Sequence, residues 1–130
     1  MRQTLSLITV VVDDYDRAIA HYTDALGFEL REDTDRGGGK RWVRVAPPGS
    51  RETCLLLAAA GNDAQRARIG DQTGGRVGFF LETDDFHRDH ARMLARGVEF
   101  LETPREESYG TVAVFRDLYG NRWDLLQLKS

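Results

Sequence analysis

A few side chains in this 130-residue sequence could act as an acid, a base or an ion ligand. Asp124 lies in the segment 122–128 and Glu82 in the segment 76–83, and both segments have the pattern of β-strands. A carboxyl group held among apolar neighbours has a raised pKa and can accept a proton, whereas one beside an arginine is held in an ion pair. Arg44, on a predicted strand at 40–46, could pair with Glu82 or contact a polar ligand. Both interpretations of Asp124 stay open.

The histidines and the single cysteine are weaker candidates. His87 and His90 stand three residues apart on a predicted helix, but His90 shares an apolar stripe with Phe86 and Met93, which predicts packing against a sheet. Cys54 begins a strand rich in leucine, where a free cysteine is typical of a small buried hydrophobe. A lone cysteine also fits a reducing compartment. We expect neither a histidine metal site nor a cysteine nucleophile.

Aromatic residues on the predicted strands could form the wall of a small-molecule pocket. Phe80 follows Gly78 by two residues, so strand alternation predicts that they share a face, with Gly78 leaving space beside the ring. Tyr109 lies in the polar segment 104–110, which is either a hairpin connection or a lid. The alternative is that the aromatic residues only close a hydrophobic core. The candidate ligand-binding residues are Trp42, Arg44, Gly78, Phe80, Tyr109, Phe115 and Asp124.

Composition excludes several classes of partner. The chain is 41% apolar and 30% charged with a formal net charge of −3, which predicts a single domain over 1–130. Acidic and basic residues are interspersed, so we expect no nucleic acid and no anionic membrane as partner. The longest apolar run, at 55–60, is far short of the ~20 residues that cross a bilayer, and no signal-peptide core is present. We therefore expect a cytoplasmic protein.

The predicted elements repeat once along the chain. A strand at 5–12 ends at Asp13-Asp14 and precedes an amphipathic helix, Gly27 and a strand at 28–32. A strand at 76–83 likewise ends at Asp84-Asp85 and precedes a helix, Gly97 and a strand at 98–101. Further strands follow at 40–46 and 54–58 in the first half, and at 111–116 and 122–128 in the second. This duplication predicts an α+β fold of two βαβββ modules, 1–58 and 76–130, joined by a linker at 59–75, with a curved mixed sheet around a cup-like cleft.

Three segments resemble the vicinal oxygen chelate superfamily, which includes glyoxalase I, fosfomycin-resistance enzymes, extradiol dioxygenases and bleomycin-resistance proteins. They read VDDYDRAIAHYTDALGFEL at 12–30, FFLETDDFHRDHARMLARGVEF at 79–100 and DLYGNRWDLLQ at 117–127. The last resembles the terminal D-x-x-G-N-x-x-[ED]-L segment of the family. The resemblance implies one domain of the family fold and a homodimer.

In the metal-dependent members of that family, the ligands lie on the inward faces of the first, fourth, fifth and eighth strands. The matching positions here are Leu7, Leu55 or Leu56, Gly78 and Asp124. Only Asp124 carries a donor atom, and one carboxylate cannot supply the several ligands that Mg, Mn, Fe or Zn require. We therefore expect no metal and no other cofactor.

Two functions follow from the resemblance. The first is a metal-free protein, similar to the bleomycin-resistance members, that binds an unidentified small aromatic or amphipathic molecule in an apolar cleft. The second is an enzyme of the family, a lyase, an isomerase or a dioxygenase-like protein, with Asp124 or Glu82 as the base or the sole retained ligand. The sequence does not decide whether a reaction is catalysed.

Overall fold

Acidic residues mark the change from strand to helix in each half of the chain. The computed structural model describes all residues from 1 to 130. The first half contains β1 (Leu7–Val12), α1 (Tyr15–Ala20) with a following π-helical turn (His21–Ala25), β2 (Glu29–Gly37), β3 (Lys40–Ala46), β4 (Cys54–Ala59) and α2 (Asp63–Arg66). The second half contains β5 (Val77–Glu82), α3 (Phe86–Ala95), β6 (Glu99–Phe100), β7 (Arg105–Glu107), β8 (Gly110–Arg116) and β9 (Arg122–Leu128).

The chain divides into two compact units, residues 1–69 and 70–130, and each unit contains one mixed sheet. Sheet A has the order β1-β4-β3-β2, and sheet B has the order β5-β9-β8-β6, with the short β7 also paired to β8. In both sheets the first strand of the unit lies parallel to the last. The α+β fold is therefore confirmed, although the strands form two sheets rather than one.

The repeat extends to the hydrogen bonds that start the two long helices. The side chain of Asp14 accepts from the backbone N of Arg17 at 2.8 Å, and that of Asp85 accepts from the N of Arg88 at 3.1 Å. In each case the arginine also forms an ion pair with the aspartate that precedes the cap. A side-chain acceptor at the N-cap satisfies a backbone donor that the helix itself leaves unpaired. The sequence Asp-Asp-x-x-Arg thus encodes both helix starts.

Each helix covers one face of its own sheet and buries a row of apolar side chains. In unit 1 the fully buried residues include Val10, Val12, Ala18, Tyr22, Val43, Val45 and Leu57. In unit 2, Phe86 and Met93 of α3 are fully buried, as is Leu125 of β9. His90 of α3 lies between the rings of Phe86 and Phe100, with ring centroids at 5.5 and 4.5 Å, so the prediction that it packs on the sheet is confirmed. Burial lowers the pKa of His90.

Phe115 belongs to this core, and its prediction as a pocket residue is wrong. It is fully buried, with its ring stacked on Trp123 at 5.7 Å and tilted against Phe100 at 5.5 Å. Phe115 and Trp123 are directly paired across β8 and β9, and paired residues point to the same face of a sheet. Because Trp123 is buried beside α3, Phe115 on the same face of the sheet is buried there as well.

The turn between β8 and β9 is organised by a buried carboxylate. Asp117 is 5% exposed, and its Oδ1 accepts from the backbone N of Tyr119, Gly120 and Asn121 at 3.0–3.1 Å. Its Oδ2 accepts from Asn121 Nδ2 at 3.0 Å and from Trp123 Nε1 at 3.4 Å. Gly120 has φ 102°, a left-handed conformation that favours glycine. This network, which sequence analysis treats as a simple chain reversal, ties the turn to the aromatic core.

We expect Asp117→Asn to lower the free energy of unfolding by about 2 kcal/mol, because an amide offers one acceptor oxygen where the buried donors need two. Chemical denaturation followed by fluorescence measures the change. Asp35→Asn is the matched control, since Asp35 accepts from the N of Gly37 at 2.8 Å in an exposed turn and its loss should cost less than about 0.5 kcal/mol. Equal effects of the two substitutions would contradict a structural role for the buried network.

Candidate functional site

The face of sheet B that points away from α3 brings together most of the chemistry in unit 2. Phe80 and Val114 are the direct neighbours of Asp124 on β5 and β8, and Glu82 pairs with Leu126. Because paired and alternate residues share a face, these side chains lie on one side, and Trp123 and Leu125 on the other. We call this surface the Asp124 face. It comprises Phe80, Glu82, Arg105, Val114, Asp124 and Leu126.

Phe80 presents a large aromatic surface on this face. Its side chain is 66% exposed, whereas its neighbour Phe79 stacks on Trp123 at 4.7 Å on the opposite side of the sheet. Trp123 and Leu125 are buried, as predicted from their alternation with Asp124. An exposed phenyl ring on a rigid strand is an apolar contact surface for a ligand.

Asp124 lacks a partner for its buried oxygen. Its Oδ1 is buried without a hydrogen bond, and the carboxylate forms no ion pair. Burial raises the pKa of Asp124, the guanidinium of Arg105 acts to lower it, and the carboxylate of Glu102 adds to the rise. Of the two interpretations that the sequence leaves open, the structure shows a carboxyl group among apolar neighbours rather than one held in an arginine pair.

Arg105 is the cation whose charge acts on Asp124, but it is bound by two other carboxylates. Its Nε donates to Glu102 Oε1 at 2.9 Å, and its Nη1 donates to Glu107 Oε1 at 2.8 Å. Glu102 Oε2 in turn accepts from the backbone N of Val114 at 2.9 Å. Between β6 and β7 the chain bulges away from β8, so the residues in between do not continue the strand pairing. The Glu102 side chain takes the place of a backbone acceptor for the N of Val114. The bulge thus places Glu102 where it can hold Arg105.

Gly78 does not open space beside Phe80 as predicted. The pairing of β5 with β9 shifts register between Val77 and Phe79, so Gly78 lies in a β-bulge and strand alternation does not extend to it. A Cβ built at Gly78 would come within 2.6 Å of Thr73 Cγ2. The space beside the Gly78 backbone is therefore filled by Thr73.

Sheet A has a corresponding face, opposite α1, on which the charges are paired. Arg44 Nε donates to Glu32 Oε1 at 2.8 Å, and this hydrogen bond lowers the pKa of Glu32. Arg44 Nη1 also lies 3.5 Å from the sulfur of Cys54, which is buried. Trp42 is partly buried, with the guanidinium of Arg36 5.5 Å from its ring centre. The predicted pairing of Arg44 with Glu82 is replaced by a pair within unit 1.

The residues at the family's metal-ligand positions do not fit a divalent cation. The structure decides the fourth-strand register, because Leu56 pairs with Arg44 on the face opposite α1, whereas Leu55 pairs with the buried Val45. The four positions are thus Leu7 and Leu56 in sheet A, and Gly78 and Asp124 in sheet B. Only one of them supplies a donor atom. No group of three or more His, Cys, Asp or Glu side chains could hold a metal ion.

Two other predicted site residues lie at the ends of strands. Glu82 is exposed at the last position of β5. Tyr109 is 48% exposed in the turn between β7 and β8, which are joined by the Glu107–Gly110 pair. The segment 104–110 is therefore a hairpin, in agreement with the first of its two interpretations.

Sequence reasoning missed the acidic residues that hold the two arginines, Glu32 for Arg44 and Glu102 with Glu107 for Arg105. Arg105 and Glu107 are two residues apart, which is the alternation of a strand, and this spacing predicts that their side chains lie on the same face. Glu102 follows no period, because its position depends on the bulge. No helix of the structure is long and apolar enough to cross a membrane.

Comparison with known proteins gives matches over nearly the whole chain. The family model for the Glyoxalase/Bleomycin resistance protein/Dioxygenase superfamily matches residues 4–125. An uncharacterized protein of Shewanella frigidimarina is 55% identical over 129 residues, which cover 98% of this chain and 96% of that protein. The crystal structure of UcmS2 has a TM-score of 0.83 at 35% identity and covers 97% of this chain and 98% of its own.

A second solved structure is TnmS3, described as an antibiotic binding protein from Streptomyces sp. CB03234. It has a TM-score of 0.77 at 31% identity, over 99% of this chain and 98% of its own. The two βαβββ units, the terminal Asp-x-x-Gly-Asn turn and these matches agree with the resemblance seen in the sequence. The chain belongs to the glyoxalase/bleomycin resistance protein/dioxygenase superfamily.

Proposed function

We propose that this protein binds a small aromatic or amphipathic molecule on the Asp124 face, without a divalent metal. The observation that carries the proposal is the exposed ring of Phe80 directly beside a carboxyl group whose buried oxygen has no partner. An apolar surface with a few unsatisfied polar groups is the usual form of a ligand site. TnmS3, an antibiotic binding protein 31% identical to this chain, supports this function.

Each side chain of the Asp124 face has a distinct part in such binding. Phe80 would stack on a flat ring, and covering a phenylalanine side chain is worth roughly 1.5–3 kcal/mol. Val114 and Leu126 flank Asp124 with hydrocarbon. Asp124 would accept a hydrogen bond from the ligand, which gives its unpaired oxygen a partner and orients the bound molecule.

Trp42, Arg44 and Tyr109 remain proposed ligand contacts. Arg44 has donors beyond those that contact Glu32 and Cys54, because a guanidinium has five N–H groups. Tyr109 offers an exposed ring at the hairpin turn. We also propose a homodimer, on the family resemblance, and the molar mass in solution measures it.

The alternative function is a metal-independent lyase or isomerase with Asp124 as the base. The raised pKa of Asp124 favours it, because a carboxyl group that holds its proton more tightly is a better acceptor near neutral pH. Glu82 is less suited, since its position at the exposed end of β5 leaves it in water. Turnover that Asp124→Asn abolishes without loss of substrate binding would favour this alternative.

Protein purified without chelator should contain well under one equivalent of Ni, Zn, Fe or Mn per chain, because a single carboxylate cannot complete a coordination shell. Elemental analysis after incubation with each metal and gel filtration measures the content. Asp124→Asn is the control for a weakly held ion. A full equivalent that disappears in this variant would show that the assignment as metal-free is wrong.

Phe80→Ala should remove at least about half of the ligand-induced stabilisation that the wild-type protein shows in a thermal-shift screen of polycyclic aromatic compounds and antibiotics. A compound at a concentration 100 times its Kd stabilises the folded state by about 2.7 kcal/mol, which raises Tm by roughly 10 °C in a domain of this size. Because Phe80 is exposed, its removal should leave the Tm of the free protein within about 2 °C of wild type.

Leu94→Ala is the matched control for that screen. Leu94 is 50% exposed on α3, which covers the opposite face of sheet B, so the substitution removes a similar apolar surface away from the site. Stabilisation lost equally in Phe80→Ala and Leu94→Ala, or retained in both, would contradict binding on the Asp124 face.

A further inference from the structure

We propose that the ligand of the Asp124 face is a cation, a flat or amphipathic molecule whose protonated nitrogen binds the Asp124 carboxylate while its apolar body lies on Phe80. This inference rests on the proposed function, and it names the charge of the molecule that the face selects. It follows from how the charges around Asp124 are arranged.

The charges of the Asp124 face do not cancel. Glu82 and Asp124 are carboxylates of this face, and Glu102 and Glu107 adjoin it with Arg105 as the cation bound between them. Arg122, on the same strand as Asp124 and two residues before it, is exposed and forms no ion pair with it. With Asp124 ionised, these groups therefore have an excess of negative charge, and Asp124 is the carboxylate that lies directly beside Phe80 with a buried oxygen that has no partner.

Arg105 is kept from neutralising Asp124 by the geometry of the bulge. Glu102 has one oxygen on the guanidinium and the other on the backbone N of Val114. Arg105 is thereby held toward Glu102 and Glu107, and turning it to Asp124 would give up hydrogen bonds to these carboxylates for a contact with another one. Without a ligand, this arrangement thus leaves Asp124 without an ion-pair partner.

A protonated nitrogen satisfies this face better than a neutral or anionic group. An ionised carboxylate is acceptor-only, so it binds a donor, and the bond is strongest when the donor is charged. A neutral apolar ligand would cover Asp124 without a partner and remove it further from water, which is unfavourable. An anion would be repelled by the same excess charge. The exposed ring of Phe80 also attracts a nearby cation through its π-face.

Three tricyclic fluorescent probes of similar shape separate charge from shape. Aminoacridine is a cation at neutral pH, acridone is neutral, and anthracenecarboxylate is an anion. Fluorescence titration of the full-length protein at low salt should give a Kd for aminoacridine at least about tenfold below that for acridone, with anthracenecarboxylate the weakest ligand.

Substitutions in unit 2 test which carboxylate produces that preference. Asp124→Asn should raise the Kd of aminoacridine about tenfold and leave that of acridone within about twofold. Glu102→Gln keeps an acceptor oxygen for the N of Val114 but weakens the hold on Arg105, so Arg105 can turn to Asp124 and the preference for the cation should fall severalfold.

Glu106→Gln is the matched control, because it makes the same change of charge on β7, the short strand that carries Arg105. Glu106 accepts from Thr111 Oγ1 on the face that α3 covers. The Glu106→Gln variant should keep the wild-type preference for aminoacridine over acridone within about twofold. That result would exclude a general attraction of the cation to an acidic protein. If Asp124→Asn does not fold, as judged by circular dichroism, Glu102→Gln and Glu106→Gln alone decide between the two explanations.

The possible outcomes distinguish this inference from the function on which it rests. Equal binding of aminoacridine and acridone, lost in Phe80→Ala, would overturn the cation inference and support the proposed function. A preference for aminoacridine that persists in both Asp124→Asn and Glu102→Gln would also overturn the inference. Failure of all three probes to bind would count against the proposed function itself.

Discussion

Strand alternation in β9 is the constraint on which the site depends. Trp123 and Leu125 are buried beside α3, so Asp124 between them must point to the other face of sheet B. A slip of one residue would bury the carboxylate under the helix and expose the indole ring. The hydrogen bond from Trp123 Nε1 to Asp117 fixes that register at the start of the strand, where the buried turn leads into β9. The terminal Asp-x-x-Gly-Asn motif therefore affects the orientation of Asp124 through the register of one strand.

The two repeats have the same strand order, but the charged residue on the face away from the helix is paired in sheet A and unpaired in sheet B. Leu56 occupies in sheet A the place that Asp124 occupies in sheet B, and its neighbour Arg44 corresponds to Val114. In unit 1 the polar residue of that face is a cation that Glu32 neutralises within the same sheet. In unit 2 it is a carboxylate, and the available cation is held elsewhere. A duplicated backbone can thus present a neutralised surface in one copy and a surface with an unpaired carboxylate in the other, because side chains on these faces do not contribute to the helix-covered cores.

The fold was predictable because its signals are local and periodic. The acidic pairs before the helices, the glycines after them and the alternation of β9 each depend on a few neighbouring residues, and they predict the elements, the repeat and the orientation of Asp124. The errors come from irregularities in pairing. Gly78 lies in a bulge that no sequence period announces, and Phe115 was placed on the wrong face because the register of β8 against β9 is a long-range property. The hydrogen bond between Glu102 and Arg105 depends on a second bulge, which no sequence period indicates. The sequence therefore could not decide whether Asp124 is paired with an arginine or lies unpaired among apolar neighbours.

Asp124 is an unpaired carboxyl group in partly apolar surroundings, and both the proposed site and its preference for a cation depend on that state. NMR titration of the side-chain carboxyl carbon in protein labelled at aspartate measures this state directly, with the Asp124 signal assigned from Asp124→Asn. We predict that Asp124 titrates above the ordinary aspartate value of about 3.9, while Asp33, bound to Arg41 at 2.7 Å, titrates below its ordinary value in the same spectra. A midpoint for Asp124 at or below the ordinary value would show that an arginine neutralises it, and it would contradict the account.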